Sequence, residues 1–244
     1  MAFLEVHSVT KSFDRTPVLG GVDLTLEQGE LVCLLGVSGS GKTTLFNIIS
    51  GLMTPDSGQI LLDGEDITAR PGQVSYMLQK DLLLPFRTIQ DNVILPLLLQ
   101  GVKPKDALDQ SRELFNIFGL DGTQKLYPSQ LSGGMRQRAA LLRTYLFRRK
   151  LVLLDEPFSA LDAITKGALH LWYLDIMRTL PITTLFVTHD VDEAVLLSDR
   201  ICLLTGSPGQ ITHEIIVPHP RPRPKDFALT QTFLDCKRQV LSLL

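Results

Sequence analysis

A chain of 244 residues, 44% of them apolar, has material for one large α/β domain, or a domain with a subdomain, around a substantial core. A formal net charge of −2 leaves no global basic field, which excludes non-specific nucleic-acid binding as the main task. The three cysteines, Cys33, Cys202 and Cys236, form no Cys-x-x-Cys pair; this speaks against a disulfide scaffold or zinc site and for a reducing cytosol. With no basic leader and no run of about 18 apolar residues, the expectation is a soluble chain that sits, if anywhere near a bilayer, against a membrane protein.

In chain order, residues 3–12 alternate apolar and polar, as a half-exposed strand does. Thr16-Pro17-Val18-Leu19-Gly20-Gly21 predicts a turn and residues 22–26 a second alternating strand. Gln28-Gly29-Glu30 turns into the apolar run Leu31-Val32-Cys33-Leu34-Leu35, of buried-strand type, and a helix is predicted from Thr44 onward. Residues 54–58 are dense in turn chemistry, 59–64 read as strand and turn, and 74–79 as a strand with a polar end. From about 80 to 140 apolar residues recur at helical spacing (Val93, Ile94, Leu97, Leu98, then Ala107, Leu108, Leu114, Phe115), punctuated by Pro85, Pro96, Pro104 and Pro128. This predicts a helical subdomain inserted between strands. Residues 151–154 and 183–187 return to buried strands with a helix over 163–180 between them, the rhythm of a parallel sheet. Residues 201–204 and 210–216 suggest a late hairpin. The four prolines of 218–224 exclude helix and central strand, and 227–244 predicts one closing helix.

Three stretches carry chemistry. Gly36-Val37-Ser38-Gly39-Ser40-Gly41-Lys42-Thr43 fits G-x-x-x-x-G-K-[ST] without mismatch, between a strand and a helix. Such a turn aims several backbone N–H groups and the helix dipole at one phosphate, and Gly39 and Gly41 let the backbone curl around it. Lys42 reaches the β- and γ-phosphates and Thr43 Oγ ligates Mg²⁺. Leu151-Val152-Leu153-Leu154-Asp155-Glu156 delivers two carboxylates to the C-terminal end of a buried strand, where parallel sheets bind ligands. Asp155 there holds Mg²⁺ and Glu156 acts as general base on the attacking water. Leu131-Ser132-Gly133-Gly134-Met135-Arg136-Gln137-Arg138 heads an apolar-patterned helix and makes a second anion-binding N-terminus. One nucleotide does not need two cradles from one chain, whereas two chains placed head to tail do.

With these pieces in order along nearly the whole chain, together with Gln79, Ser159-Ala160-Leu161-Asp162 and Thr188-His189-Asp190, the sequence resembles the ATP-binding subunits of ABC transporters. The resemblance implies an α/β fold: a P-loop NTPase core with a mostly parallel sheet, an N-terminal antiparallel β part and an inserted α-helical subdomain. It implies a single ABC ATPase domain over 1–244, with about 1–79 and 141–217 as core, about 80–140 as helical subdomain and about 218–244 as C-terminal tail and helix. It implies ATP and Mg²⁺ as cofactors, with Gly36, Val37, Ser38, Gly39, Ser40, Gly41, Lys42, Thr43 and Thr44 around the phosphates and Thr43, Gln79 and Asp155 at the metal. Glu156, His189, Gln79 and Lys42 are the implied catalytic groups. Gln79 senses Mg²⁺ and water and couples to the membrane subunits, and His189 meets the γ-phosphate. Ser132, Gly133 and Gly134 serve the partner chain's ATP, Asp162 lies in the loop linking the two sites, and Phe13 resembles the aromatic that stacks on adenine.

Met135, where most members have Gln, resembles the importers for nitrate, sulfonates and taurine, as do Lys80-Asp81-Leu82-Leu83-Leu84-Pro85-Phe86-Arg87 and Pro220-Arg221-Pro222-Arg223. Tyr145 departs from the usual Ala and predicts different local packing. With the sequence ending at Leu244, the long regulatory domain of sugar-importer subunits is not expected. The expected partners are a second copy of the chain, transmembrane permease subunits docked near Leu82, Leu84 and Phe86, and, through them, an extracytoplasmic solute-binding protein; no nucleic acid is expected. The expected location is cytoplasmic, peripheral on the inner face of the cell membrane. The alternative is a regulatory or non-transport ABC ATPase acting on a membrane partner or nucleic acid.

Overall fold

In the computed structural model, described over residues 2–159, 161–180, 182–221, 223–224 and 226–244, the chain opens with a long hairpin. Strands β1 (Leu4–Phe13) and β2 (Thr16–Leu26) pair antiparallel across Asp14 and Arg15, both at positive φ (48° and 67°). A two-residue turn of that hand matches the strands' twist. The turn expected over residues 16–21 is therefore strand. Pro17 is tolerated because β2 is an edge strand. Gly21, at φ 83°, sits in the register shift between Val9↔Val22 and Thr10↔Gly20, a bulge rather than a chain reversal.

Next come β3 (Leu31–Leu35), α1 (Lys42–Ile49), β4 (Ser57–Leu62), β5 (Glu65–Asp66) and β6 (Ser75–Met77). Helices α2 (Ile89–Leu99), α3 (Pro104–Ile117) and α4 (Gly133–Tyr145) come after them, with one 3₁₀ turn at Pro128–Gln130. The expected boundary at residue 140 falls inside α4, and Pro96 lies inside α2 instead of ending it. The remaining elements are β7 (Leu151–Asp155), α5 (Ala163–Thr179), β8 (Thr183–Thr188), α6 (Val191–Leu197), β9 (Arg200–Thr205), β10 (Gln210–Ile216) and α7 (Gln231–Leu243). The single closing helix expected from 227 is broken: Phe227–Leu229 is a 3₁₀ turn, and Thr230 starts a new helix by accepting the Phe233 N–H at 3.2 Å.

The first sheet runs β2-β1-β4-β5 and is antiparallel; the second runs β10-β9-β3-β8-β7-β6 and is parallel except for β9 with β10. Strands β3 and β7 are buried throughout because both faces of the second sheet are covered. Leu31, Cys33 and Leu35 enter the core shared with α2–α7, whereas Val32 and Leu34 enter the core shared with α1 and the first sheet. Tyr145 is accommodated by packing on Phe118, with ring centroids 5.9 Å apart.

The proline-rich tail is held by its arginines; Pro222 lies outside the described residues. Arg221 pairs with Asp199, Nε to Oδ1 at 2.8 Å. Arg223 is buried and donates to four carbonyls, His219 at 2.9 Å, Val195 at 3.1 Å, Leu196 at 2.7 Å and Ser198 at 2.6 Å. A cation thus satisfies the orphan carbonyls ending α6. Burial pushes its pKa down to about 10, with nearby Asp199 acting in the opposite sense. Arg223→Ala strands these carbonyls and is expected to cost about 3 kcal/mol. The variant should melt about 6–12 °C lower in scanning calorimetry; an unchanged melting temperature would show the tail to be dispensable.

Candidate active site

The C-terminal end of β3 opens into the loop 36–41, and α1 begins at Lys42. Gly41 has φ 96°, and a Cβ there would lie 2.7 Å from Leu19 Cδ2, so the loop closes this tightly only with glycine. Gly39, at φ 83°, has open space where its Cβ would be. Lys42 Nζ folds over the loop and donates to the carbonyls of Gly36 at 2.8 Å and Val37 at 2.7 Å. Burial lowers the Lys42 pKa, opposed by Glu156 and Asp155. Beside it opens a cavity of about 510 Å³ lined by Ser38, Gly39, Gly41, Lys42, Thr43 and Thr44, by Gln79, Glu156 and His189, and by Val18.

Asp155 ends β7 behind this cavity, only 4% exposed. Its Oδ2 accepts from Thr43 Oγ1 at 3.2 Å and Tyr76 Oη at 3.4 Å. Burial raises its pKa, the two hydroxyls and Lys42 counter that, and Glu156 adds to it. A desolvated carboxylate beside a threonine hydroxyl is the hard-oxygen donor set that suits Mg²⁺, and the glycine-lined cradle with its ammonium suits a polyphosphate. Glu156, at φ 45°, joins the two outer residues: Gln79 Nε2 donates to its Oε2 at 3.1 Å, and His189 Nδ1 lies 3.0 Å from its Oε1. The arrangement brings an ammonium, a carboxylate and an imidazole to one opening, a set able to serve phosphoryl transfer to water.

Five expected residues stand elsewhere. Phe13 is at the hairpin tip, 43% exposed and outside the cavity lining. Ser132 caps α4, its Oγ accepting the Met135 N–H at 3.3 Å. Gly133 and Gly134 press on the start of α5, where an added Cβ would lie 3.1 Å from Leu161 Cδ2 and Thr165 Cγ2 respectively. Asp162 caps α5 by accepting the N–H groups of Ile164 and Thr165 at 3.2 and 3.0 Å; Ala160, in the same motif, lies outside the described residues. Val18 and Tyr76 were missed, since a strand valine and a strand tyrosine carry no signal before the pairing of the sheets is known.

The family model described as ABC transporter matches residues 19–159, more than half of the chain. This chain belongs to the ABC transporter family. Among its relatives is the formylaminopyrimidine import ATP-binding protein of Halalkalibacterium halodurans, 46% identical over 89% of this chain and 84% of that protein. Another is an aliphatic sulfonates import ATP-binding protein of Bacillus cereus, 38% identical over 98% and 94%. An ATP-binding cassette solved as a dimer in a post-hydrolysis state with ADP and Pi superposes with a TM-score of 0.76 at 27% identity, over 89% of this chain and all of that one. The chain is accordingly an ATP-binding, ATP-hydrolysing ABC subunit of the importer group. Among the described residues no helix is long and apolar enough to cross a membrane.

The buried carboxylate gives a stability prediction. The folded state holds the Asp155 proton above the ordinary carboxyl range, so more protons are bound folded than unfolded there, and stability falls as pH climbs through that window. Without nucleotide at neutral pH, Asp155→Asn should therefore raise the melting temperature, by about 2–4 °C for each kcal/mol relieved. A lower melting temperature would mean that Thr43 and Tyr76 more than compensate the buried charge.

Proposed function

We propose that this ATPase works as a head-to-tail pair of copies on the cytoplasmic face of the cell membrane and powers uptake of a small solute through a separate permease. The solute is of the nitrate, sulfonate or taurine type, delivered by an extracytoplasmic binding protein. The observation that carries the pairing is the separation of two anion-competent helix N-termini: that of α1 lines the cavity and that of α4, capped by Ser132, does not. A second copy facing the first brings its Ser132, Gly133 and Gly134 over this copy's γ-phosphate. The sulfonate importer subunit that aligns with nearly the whole chain supports the solute class.

In this reading Gly36 to Thr44 would cradle the phosphates, Phe13 would stack on adenine, and Thr43, Asp155 and Gln79 would hold Mg²⁺, which would neutralise phosphate charge. Lys42 leaves its loop carbonyls for the β- and γ-phosphates. Water adds to the γ-phosphorus, the bond to the β–γ bridging oxygen breaks, and ADP departs with that electron pair. Glu156, held by Gln79 and His189, takes the proton of the water, and His189 donates to the γ-phosphate. Asp162 stands where the two sites meet. The division into core (about 1–79 and 141–217), helical subdomain (about 80–140) and C-terminal part belongs to the same reading: residues 80–140 carry the contact to the permease.

Support for that contact comes from the loop after Gln79. Asn92, fully buried, donates to the carbonyls of Leu84, Arg87 and Thr88, and Arg143 donates to those of Asp81 and Leu82. The backbone is thus pinned while Leu82 and Leu84 stay exposed and Phe86 is 92% exposed. A groove of about 260 Å³ between Leu52, Pro96 and Phe147 shares Arg143 with this loop. Exposed apolar groups on a fixed backbone are what a docking helix needs.

Two experiments test the reading. Glu156→Gln should bind ATP, hydrolyse it at least a hundredfold more slowly, on the order of the loss of a general base, and elute as a dimer with MgATP; a wild-type rate would remove Glu156 from the base role. Cysteines at 82, 84 and 86 should crosslink to permease loops in membranes holding the whole importer, and no crosslink at any of the three would place the docking surface elsewhere.

A further inference from the structure

His189 stands on the short connection between β8 and α6, and the residues on both sides of it are tied to α5. Lys166 Nζ lies 2.8 Å from Asp190 Oδ2 and 2.6 Å from Glu193 Oε1. The other Glu193 oxygen accepts from Thr188 Oγ1 at 2.5 Å, and that hydroxyl accepts the Asp190 N–H at 3.0 Å. His170, one turn further along α5, places Nε2 3.2 Å from Glu193 Oε1 and meets the Phe158 ring edge-on at 4.9 Å. Asp190 in turn caps α6 by accepting the N–H groups of Asp192 and Glu193 at 2.8 and 3.3 Å. Thr188 and Asp190, the neighbours of His189, are therefore fixed by the same few charges.

Glu193 is 2% exposed, and among the described residues its side-chain partners are Lys166 and His170 of α5 and Thr188, the residue before His189. Burial works against its charge, but His170, Lys166 and Thr188 together hold its pKa below the ordinary value. Burial likewise works against the Lys166 charge, and the bonds to Asp190 and Glu193 outweigh it and raise the pKa. Buried ion clusters of this kind contribute little net stability against an apolar replacement, and in some systems they fix a geometry instead. Here the geometry enforced is that of His189, whose Nδ1 lies 3.0 Å from Glu156 Oε1 although its side chain is largely open to solvent. An imidazole this exposed has little packing around it, so its position depends on its contact with Glu156 and on the backbone beneath it.

We infer that Lys166 is a positioning residue for hydrolysis: clamped between Asp190 and Glu193, it holds the backbone at His189 so that the imidazole faces Glu156 and the γ-phosphate. The inference rests on the role given to His189 under the proposed function.

Steady-state ATPase rates of wild type, Lys166→Met, His189→Ala and the double variant form a cycle, with Lys166→Arg and Glu193→Gln alongside. Lys166→Met should lower kcat roughly tenfold or more, the scale of a misplaced reacting group, and leave KM for ATP within about twofold. In the His189→Ala background the same change should alter kcat by less than about twofold, because two residues acting through one group are not additive. Lys166→Arg should restore most of the rate. Glu193→Gln, which keeps the shape and loses the charge, should behave as Lys166→Met does. An unchanged kcat in Lys166→Met, or a loss that multiplies in the His189→Ala background, would overturn the inference while leaving the role of His189 intact. A wild-type rate in His189→Ala would instead remove that role, and the inference with it.

Discussion

Parallel pairing of β3, β8 and β7 in one register is the constraint on which the site depends. Leu35 lies opposite Thr188, and Val187 opposite Asp155. Three chain segments far apart in sequence thus end at one edge, and each end leads straight into the lining of the cavity: the glycine-rich loop after β3, His189 after β8 and Glu156 after β7. The Glu156 N–H extends the pattern by donating to the Val187 carbonyl at 3.0 Å. A slip of one residue in any of these pairings would turn the strand's core-facing side chains to the opposite face. The apolar layers on both faces therefore fix the site geometry as well as the stability.

The same edge concentrates charge that the fold would otherwise avoid. Lys42 and Asp155 are both nearly buried, and burial disfavours the ionised form of each. Lys42 is satisfied by two carbonyls of its own loop and Asp155 by two hydroxyls. Both groups are thus held in place, under-compensated, next to the cavity where, in the proposed function, phosphate and a divalent cation would carry the complementary charges. Proteins commonly sacrifice stability at such positions to prepare a binding site in advance.

Much of this was legible in the sequence. Strands β3, β7 and β8 read clearly because burial on both faces demands uninterrupted apolar runs, and the loop before α1 because phosphate binding demands glycine and lysine at fixed spacing. The misreadings have local causes. Gly20 and Gly21 looked like a chain reversal, but a bulge needs glycine as much as a turn does; the true reversal, at Asp14 and Arg15, carries no glycine. The break at Thr230 was hidden because a helix cap and a helix interior differ by one hydroxyl. Val18, Tyr76, Lys166 and Glu193 were invisible for another reason. Each matters through a neighbour distant in sequence, and a single sequence without the sheet register does not name that neighbour.

Lys42, Gln79, Glu156 and His189 surround the cavity, while Ser132, Gly133 and Gly134 lie outside its lining. The most direct measurement is the ATPase rate per mole of isolated chain over a dilution series, at saturating MgATP. A site completed by a second copy predicts that this specific rate falls toward zero on dilution and rises with chain concentration until it levels off. A specific rate that stays constant down to concentrations where ultracentrifugation finds only monomer would contradict it.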